Sequence, residues 1–367
     1  MMNGHQPLIY LAVTNCLTYD QRMSRICLTL HEAGYRVVLI GIRRTDPLPA
    51  RPYRQVRLTS WFPKGKLFYL ENHFRLFCYL ILKKADLMVA NDLDTALPVW
   101  LVSRLRGIPR LMDAHEYFTE MKEVRTRPRI QKIWSALAQF LIPRFPAGYT
   151  VGTELVERFK AQYGVSYALV RNLPVKQPTL ARAEEHQPFL LYQGAVNHGR
   201  GFELLIPAMR AIPYPLVICG DGNFMQEVRE MIQREGVADK VQLTGMLPPD
   251  ALREWALRAT LGIFLPDEEG MNQFLALPNK FLDSIEAGLP QISRRFPEYE
   301  RINREFPVAI LLDQVDIKTV AETVNQLFAD RAQRITMTEA CRKAREIYCW
   351  EKEKSTLLSV YHQILAA

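Results

Sequence analysis

The apolar positions at the start of the chain follow the pattern of a strand, a helix and a second strand. Residues 8–13 form a short continuous apolar run. A helix pattern that includes Ile26 and Leu30 follows and ends at Gly34, directly before a second apolar run at residues 35–41. This spacing predicts a βαβ unit, in which both strands run parallel in one buried sheet.

The same alternation covers most of the chain. We predict strands at 86–90, 110–113 and 148–151 and helices at 95–105, 128–142 and 154–163. Strands at 189–193, 215–219, 241–244, 261–265 and 308–312 follow, with helices at 202–209, 224–234, 250–259, 280–287 and 317–328. Residues 336–366 show no strand pattern and are predicted to add helices on the outside. The predicted fold class is α/β, with two Rossmann-like, doubly wound lobes, each built on a parallel sheet.

Length and composition fit two globular lobes. The chain has 367 residues, of which 48% are hydrophobic and 23% charged, and this composition excludes disordered and collagen-like proteins. Residues 173–187 are rich in Pro, Gln, Ala and charged residues, as linkers are. We therefore expect one domain at residues 1–172 and a second at residues 188–350.

Charge differs sharply between the two parts. The net charge of the chain is +8, but residues 1–180 hold 26 Lys and Arg against 13 Asp and Glu, and the remaining residues hold 21 against 26. A strongly basic first lobe suggests an anionic partner, and charge alone leaves nucleic acid, a membrane surface and an acidic substrate open.

Cysteine usage and hydropathy indicate the compartment. The six cysteines form no C-x-x-C pair, so neither a disulfide framework nor a zinc site is indicated. No apolar run reaches the roughly 20 residues of a spanning helix, and the first residues lack the basic region and cleavage site of a signal peptide. We expect a cytoplasmic protein and leave peripheral attachment to the inner face of the membrane open.

The loops that follow strands carry the candidate chemistry, because open α/β sheets bind ligands at the carboxyl ends of their strands. Residues 14–20 contain no G-x-G-x-x-G, so a dinucleotide cofactor is not expected in the first lobe. In the second lobe, residues 194–201 read Gly-Ala-Val-Asn-His-Gly-Arg-Gly. Such a loop suits a phosphate, with Arg200 as a bidentate donor, or is an ordinary glycine-rich turn. The Gly-Asp-Gly-Asn at residues 220–223 is a tight turn or a second ligand loop.

The densest cluster of polar candidates lies at residues 277–290. Asn279 and Lys280 stand at a predicted helix start, where free backbone donors suit a diphosphate, and Asp283 lies one turn further on, where it could accept from ribose hydroxyls. Ordinary helix capping followed by a Gly-Leu-Pro stop is the alternative.

Taken together, these motifs resemble those of the family 4 retaining glycosyltransferases with the GT-B fold, in which two such lobes face each other across a cleft, and the likeness covers nearly the whole chain. The segments that carry it are Thr18 to Met23, Ala33 to Tyr35, Asn91-Asp92, Asp113 to Glu116, Tyr192 to Gly194, Gly199 to Gly201, Gly220 to Gly222, Pro278 to Pro290 and Trp350-Glu351.

The resemblance implies an acceptor domain at residues 1–172, on which a helix at 351–367 packs back, and a donor domain at 188–350. It implies that Arg200 and Lys280 neutralise the departing nucleoside diphosphate and that His115 lies beside the sugar, so these three are the expected catalytic residues. The remaining expected donor-binding residues are Gly194, Gly199, Gly220, Met246, Asn272, Asn279 and Asp283, and those on the acceptor side are Asp20, Arg22 and Glu116. The nucleotide-sugar is a substrate, and neither a cofactor nor a metal is expected.

Two departures from the family pattern stand out. Ala195 replaces the arginine usual after the first glycine, and Arg200 stands where a lysine is common. Leu275 replaces the acid usual eight residues before the ribose-binding one, so its role could fall to Asn272, Glu268 or Glu269.

Three features outside these motifs have two interpretations each. The Asp92-Leu93-Asp94 sequence could be a metal-binding D-x-D, but its place between strand and helix favours capping. Two stretches, residues 61–77 and 125–144, mix basic with large apolar residues. Their apolar side chains are either core or a surface that docks on an anionic membrane.

The predicted function is transfer of a hexose-type sugar from a nucleoside diphosphate sugar to a glycan or lipid-linked acceptor in cell-surface polysaccharide synthesis. A nucleotide-sugar epimerase or phosphorylase on the same fold is one alternative, and a non-catalytic polyanion-binding protein is another. No RNA-binding signature appears, so nucleic acid is not expected as a partner.

Overall fold

The computed structural model describes residues 6–18, 20–43, 47–178, 187–268 and 270–366. The chain divides into two compact units. Unit 1 comprises Met1–Arg171 and Glu353–Ala367, and unit 2 comprises Asn172–Lys352. Within the described residues, no helix is both long and apolar enough to cross a bilayer.

Unit 1 alternates strands and helices along the chain. Its strands are β1 Leu8–Ala12, β2 Arg36–Ile42, β3 Arg54–Leu58, β4 Leu87–Asn91, β5 Arg110–Ala114, β6 Gly148–Thr150 and β7 Ala168–Leu169. Its helices are α1 Gln21–Glu32, α2 Lys66–Ile81, α3 Leu93–Arg106, α4 Lys122–Arg125, α5 Pro128–Leu141 and α6 Thr153–Tyr163. Two 3-10 turns lie at Phe118–Glu120 and Ile142–Arg144.

The strands of unit 1 run parallel in the order β3-β2-β1-β4-β5-β6-β7. The central strands are apolar and buried, as in β4, where all five residues are buried, because helices cover both faces of a parallel sheet. The strand order reverses between β1 and β4, which is where a doubly wound sheet opens a crevice for ligands at its carboxyl edge.

Unit 2 repeats this architecture. Its strands are β8 Leu190–Gln193, β9 Leu216–Cys219, β10 Val241–Gly245, β11 Leu261–Phe264, β12 Gln291–Arg294 and β13 Ala309–Leu312. Its helices are α7 Phe202–Ala208, α8 Met225–Glu235, α9 Pro249–Arg258, α10 Met271–Phe274, α11 Asn279–Glu286, α12 Pro297–Glu305, α13 Ile317–Ala329 and α14 Arg331–Ala344. The parallel order is β10-β9-β8-β11-β12-β13, so the reversal lies between β8 and β11.

The last helix, α15 Trp350–Ala366, starts in unit 2 and continues in unit 1. Within unit 1, Tyr361 is fully buried, and its hydroxyl lies 3.2 Å from that of Tyr149 on β6. The carboxylate of Glu353 accepts from the backbone N–H and the guanidinium of Arg171, the last residue of unit 1 before the chain enters unit 2. The tail is therefore helical, as predicted, and its final helix packs on unit 1.

The predicted linker overlaps a part of the chain that lies outside the described residues, 179–186. The described residues before it run along unit 2. Gln177 donates its backbone N–H to Glu286, and the backbone N–H of Lys176 donates to Glu351. These contacts attach the segment to the second unit.

The two-lobe α/β prediction is confirmed, and the predicted strands and helices lie within about three residues of the observed ones. The prediction left out β3, β7 and β12 among the strands. It also left out the helices α2, α4, α10 and α12.

Candidate active site

The carboxyl edge of the sheet in unit 2 brings backbone segments into very close approach. The N–H of Gly194, after β8, donates to Cys219 O at the end of β9 at 2.8 Å. A Cβ on Gly220 would lie 1.9 Å from Gly194 O, and one on Gly201 would lie 2.1 Å from Leu265 O. Gly201 also has φ +82, a conformation that L-residues rarely adopt. Only glycine fits at these two positions, so the glycines of both loops are structural requirements of this edge.

Lys280, in the first turn of α11, lies among aromatic rings at this edge. Its Nζ donates to Tyr192 Oη at 3.0 Å and lies 4.3 Å from the ring centroid of Phe264. Burial lowers the pKa of Lys280 well below its usual value, and the charge of Arg200 lowers it further, while Asp283 acts in the opposite direction. An anion bound here would compensate a cation that its surroundings disfavour.

Arg200 lies near the same ring, with its guanidinium carbon 5.9 Å from the Phe264 centroid. Its Nη1 donates to Gln273 Oε1 at 3.2 Å. Its Nε is buried and has no hydrogen-bond acceptor among the described residues, and the same holds for Nε2 of Gln193 at the end of β8. Buried donors normally have acceptors, so unsatisfied donors at a sheet edge suit an anionic or polar ligand.

Gln273, on α10, bonds to the loop of residues 194–201, which contains Arg200. The sequence did not predict this role for Gln273. Its Nε2 donates to Gly199 O at 3.2 Å, to Asp267 O at 3.0 Å and to Asp267 Oδ1 at 2.9 Å, while its Oε1 accepts from Arg200. Tyr192 is a second unanticipated contact, since its hydroxyl accepts from Lys280 and donates to Ala195 O at 2.8 Å. No local sequence signal indicates either contact.

The other expected donor-binding residues lie around this edge. Asp283 lies one turn into α11, and its charge acts on Lys280. Asn279 accepts from Asn172 Nδ2 at 2.9 Å, and Asn272 lies on α10 beside Gln273. Met246 follows β10 and is 73% exposed.

The position of the missing acid belongs to the core. Leu275 is only 2% exposed. Of the three proposed replacements, Glu268 forms an ion pair with Arg294 at 2.7 Å, and Glu269 lies outside the described residues. Asn272 lies on α10 next to Gln273 and stays a candidate for this role.

A second polar cluster lies at the carboxyl edge of the sheet in unit 1. Arg22, on α1, donates to both carboxylate oxygens of Asp113 at 2.8 and 3.2 Å, and both side chains are buried. Burial would raise the pKa of Asp113, but Arg22 and His115 outweigh it and hold that pKa below its usual value. Of the expected acceptor-side residues, Arg22 is thus an internal partner of a strand carboxylate.

His115 lies between two carboxylates. Its Nε2 is 3.1 Å from Asp92 Oδ2, and its Nδ1 is 3.7 Å from Asp113 Oδ1. Burial alone would lower the pKa of His115, but Asp92 and Asp113 raise it well above the usual value. The imidazole is one fifth exposed, and both carboxylates favour its charged form, which suits it to contact a sugar hydroxyl or a developing negative charge.

The predicted helix cap at Asp92 is wrong. The residue occupies the N-cap position of α3, but its side chain makes no capping hydrogen bond. Its Oδ1 accepts from the backbone N–H groups of His115 and Glu116, both at 3.0 Å. Capping is a local pattern, whereas this carboxylate bonds across to the loop after the neighbouring strand.

Asp94, the second acid of the D-x-D sequence, also has an internal partner. Its carboxylate accepts from the hydroxyl of Thr14, and its carbonyl oxygen lies 2.8 Å from His73 Nε2. Burial raises the pKa of Asp94 to about 6, against the effect of the Thr14 hydrogen bond. Across the part of the chain that the structure describes, no group of three or more His, Cys, Asp or Glu could hold a metal ion.

The remaining acceptor-side candidates differ in role. Asp20 caps α1, with Oδ1 accepting from the backbone N–H of Met23 at 3.0 Å. Glu116 lines a small pocket with Asp92 and the aromatic side chains of Tyr117 and Phe118. Tyr19, from the motif that precedes α1, lies outside the described residues.

Comparison with known protein families finds a match within unit 2. Residues 178–344 match the family model described as glycosyl transferases group 1. This segment includes both glycine loops, Arg200, Lys280 and Asp283.

Solved structures of glycosyltransferases share the fold of the whole chain. Sucrose-phosphate synthase from Thermosynechococcus elongatus is 16% identical, with 98% of this chain and 100% of that one covered and a TM-score of 0.84. Anabaena HepE, solved in complex with UDP-glucose, is 11% identical, with 98% and 100% covered and a TM-score of 0.74. WaaG, a glycosyltransferase involved in lipopolysaccharide biosynthesis, is 13% identical, with 96% and 99% covered and a TM-score of 0.71. At these identities the likeness shows the fold.

Two curated proteins match over parts of their length. The lipopolysaccharide core biosynthesis glycosyltransferase LpsE of Rhizobium meliloti is 23% identical over 181 residues, which are 49% of this chain and 50% of that protein. An exopolysaccharide phosphotransferase of Streptomyces coelicolor is 32% identical over 118 residues, which are 32% of this chain and 12% of that protein. The chain thus matches half or less of the length of either relative. The chain thus has the GT-B fold that the resemblance implied, and residues 178–344 match the group 1 glycosyltransferases.

Proposed function

We propose that this protein transfers a hexose from a nucleoside diphosphate sugar to a glycan or lipid-linked acceptor, with retention of anomeric configuration and without a divalent metal. The observation that carries the proposal is the pair of cations on the Phe264 ring. Arg200 has an unsatisfied buried donor, and Lys280 lies where its charge is disfavoured. Both features suit a diphosphate at the carboxyl edge of unit 2.

UDP is the first nucleotide to test. Anabaena HepE was solved with UDP, with UDP and glucose and with UDP-glucose, and it shares the fold of this chain. We propose that the base and the sugar are selected by residues near Met246, which follows β10, and Asn272 on α10.

The acceptor is proposed to be a cell-surface glycan or its lipid-linked precursor. Two relatives carry names from lipopolysaccharide biosynthesis, LpsE and WaaG. The basic balance of residues 1–180 suits an anionic acceptor or an anionic membrane surface. We therefore propose a cytoplasmic enzyme that works at the inner face of the membrane.

The proposed reaction is a same-face substitution at the anomeric carbon. The bond from the acceptor oxygen to that carbon forms as the bond to the diphosphate oxygen breaks. The electron pair of the broken bond goes to the diphosphate, and the same leaving oxygen takes the proton of the acceptor hydroxyl. Arg200 and Lys280 stabilise the charge that develops on the diphosphate, so catalysis is largely electrostatic. His115, whose charged form its carboxylate partners favour, is the proposed catalytic residue of unit 1.

Transfer of a sugar phosphate is the second candidate, because the Streptomyces relative is described as an exopolysaccharide phosphotransferase. The two reactions leave different products. A sugar transferase releases a nucleoside diphosphate, and a phosphotransferase that uses the same donor releases a nucleoside monophosphate and leaves phosphorus on the acceptor. Phosphorus NMR of the reaction mixture separates them. An assay with donor alone separates both from an epimerase, which needs no acceptor.

The test of the proposal is a calorimetric titration with nucleoside diphosphates and their sugar conjugates, followed by transfer to an acceptor preparation. We expect at least one nucleoside diphosphate to bind and its release to accompany transfer. Proton NMR of the product then gives the anomeric configuration. Failure of all nucleoside diphosphates to bind the folded protein would contradict the proposal.

A further inference from the structure

Helix α2 of unit 1 is apolar on two opposite sides. One side, with Phe68, Leu76 and Leu80, is buried. Leu70 and Phe74 lie one turn apart on the opposite side and are 68% and 69% exposed. Surface helices normally pair one apolar stripe with a polar one, so a second apolar stripe that faces solvent indicates an interaction surface.

The loop before α2 presents a tryptophan beside this stripe. Trp61 is 78% exposed, yet its backbone is fixed. The carboxylate of Glu71, on α2, accepts from the backbone N–H groups of Trp61 and Phe62 at 2.9 to 3.1 Å and from Ser60 Oγ at 2.9 Å. A large apolar side chain on a fixed backbone loses little conformational entropy when it enters an apolar phase.

Arg75 contacts both Glu71 and Trp61. Its Nε donates to Glu71 Oε1 at 2.7 Å, and its guanidinium lies 4.5 Å from the Trp61 ring centroid. Desolvation opposes ionisation of Glu71, but its hydrogen bonds outweigh that effect and lower its pKa to about 2. The single acid of residues 61–84 is thus occupied in holding Trp61.

The segment that contains α2 and the segment that contacts it are both rich in basic residues. Residues 61–84 contain five Lys and Arg and one acid, and Lys64 and Lys66, which lie between Trp61 and Leu67 in the sequence, are exposed. Residues 122–144 contain six Lys and Arg and one acid. Tyr69 of α2 packs against Trp134 of α5 with ring centroids 5.2 Å apart, which brings the two basic segments together.

The structure shows which apolar residues of segments 61–77 and 125–144 are buried in the core and which are exposed. Trp134 and Phe68 belong to the core, so they cannot enter a partner. Trp61, Leu67, Leu70 and Phe74 are exposed and define what we name the α2 surface.

We propose that the α2 surface docks unit 1 on an anionic lipid bilayer, with Trp61, Leu67, Leu70 and Phe74 inserted at the headgroup level and Lys64 and Lys66 against lipid phosphates. Charge complementarity selects this occupant, because a second copy of the chain would bring the same positive surface against itself. The inference rests on the proposed function, in that it identifies the bilayer as the location of the acceptor. Exposed aromatic and aliphatic residues flanked by lysines are typical of interfacial anchors.

The test is co-sedimentation of the full chain with phosphatidylcholine vesicles that either contain or lack phosphatidylglycerol. Binding should require phosphatidylglycerol and weaken as salt is raised. Replacing both lysines, Lys64→Gln with Lys66→Gln, should lower the partition coefficient roughly thirtyfold. The variant Leu70→Glu with Phe74→Glu should abolish binding, whereas Ile335→Glu, at an exposed apolar residue of α14 in unit 2, should leave it unchanged.

Insertion has its own readout. Trp61 is more exposed than any other tryptophan of the described chain, and Trp134 and Trp350 are buried. Brominated lipids should therefore quench the fluorescence of the wild type and have little effect on Trp61→Phe.

Two outcomes would overturn the inference. Wild-type protein that stays in the supernatant with anionic vesicles at low salt has no bilayer anchor. If the wild type binds no vesicles and is a dimer in light scattering, while the Leu70→Glu, Phe74→Glu variant is a monomer, the α2 surface binds a second copy of the chain. Nucleoside diphosphate binding is measured on the same samples. A protein that binds UDP but does not bind vesicles contradicts only the docking. A protein that binds vesicles but binds no nucleoside diphosphate contradicts only the proposed function.

Discussion

Asp92 and His115 form a closed arrangement across two neighbouring strands. One carboxylate oxygen of Asp92 accepts from the backbone N–H of His115, and the other lies 3.1 Å from the imidazole Nε2 of the same residue. Asp92 achieves this with φ 59 and ψ 175, and within the described residues it is the one non-glycine residue with positive φ. Such strain persists where the surroundings fix it, and it is found most often at functional sites.

The first prediction is that His115 stays protonated through neutral pH. Against the effect of burial, Asp92 and Asp113 raise the pKa of His115 well above its usual value, although burial also raises the pKa of Asp92. The flanking charges are Asp92, Asp94, Asp113 and Glu116 on the acidic side and Arg22 on the basic side. Nitrogen NMR of labelled histidine should show an imidazolium from pH 6 to beyond pH 8.

The raised pKa of His115 makes the stability of unit 1 depend on pH. Because the folded pKa of His115 lies above its unfolded value, its protonation contributes stability that is fully present below pH 6.5 and is lost as pH rises above that value. The raised pKa of Asp92 acts in the same direction, because burial opposes its ionisation in the folded state. Asp92→Asn keeps the size of the side chain and removes its charge, so it should lower the pKa of His115. A neutral imidazole at pH 7 in the wild type would contradict the assignment.

The second prediction compares two substitutions that remove the same side chain. Asp92→Gly and Asp92→Ala both lose the contacts to His115, but only glycine adopts φ 59, ψ 175 without strain. The alanine variant should therefore be less stable than the glycine variant by about 1 to 2 kcal/mol. Urea unfolding, followed by the near-UV signal of unit 1, measures the difference. Equal midpoints for the two variants would show that the backbone of Asp92 is not strained.

The strand and helix pattern was predictable because parallel strands buried on both faces are apolar runs. The missed strands lack that signature. Arg54–Leu58 is a partly exposed edge strand, with a charged residue at each of two positions. Gln291–Arg294 is buried but polar, since Gln291 donates to Phe281 O and Ser293 to Phe264 O. Hydropathy cannot show that a polar side chain is satisfied inside the core.

The residues of the candidate site likewise include some that the sequence predicted and some that it did not. Glycine loops and the Lys280 cluster are local motifs, so the sequence indicated them. Gln273 bonds to Gly199 and Tyr192 bonds to Lys280, and these partners are distant in the chain, so no local pattern contains that information. The cap wrongly predicted at Asp92 has the same cause, because its partner follows another strand.

The third prediction concerns the diphosphate site. Removing Arg200 or Lys280 eliminates charge-assisted hydrogen bonds, so Arg200→Ala and Lys280→Ala should each weaken UDP binding by roughly 10- to 150-fold. Lys318→Ala, at an exposed lysine on α13 of the same unit, is the matched control and should leave affinity unchanged. Calorimetry provides the affinities and circular dichroism the fold. A double variant that folds and binds every nucleoside diphosphate normally would contradict the assignment.

The fourth prediction is that transfer proceeds without a divalent metal. Arg200 and Lys280 supply the positive charge that a metal would otherwise place on the leaving diphosphate. Turnover measured in excess EDTA should match turnover without chelator. Loss of activity that manganese or magnesium restores would return Asp92 and Asp94 to consideration as ligands and would contradict the proposed mechanism.

The fifth prediction is that binding of a nucleoside diphosphate draws a proton onto Lys280. Burial and Arg200 lower the pKa of this lysine, and a bound diphosphate would raise it again by placing negative charge beside the ammonium. Calorimetric titration with UDP above pH 8, in buffers of different ionisation enthalpy, should show proton uptake. Lys280→Arg keeps a positive charge that does not titrate, so this variant should bind UDP with no proton uptake. Equal uptake by the variant and the wild type would place the titrating group elsewhere.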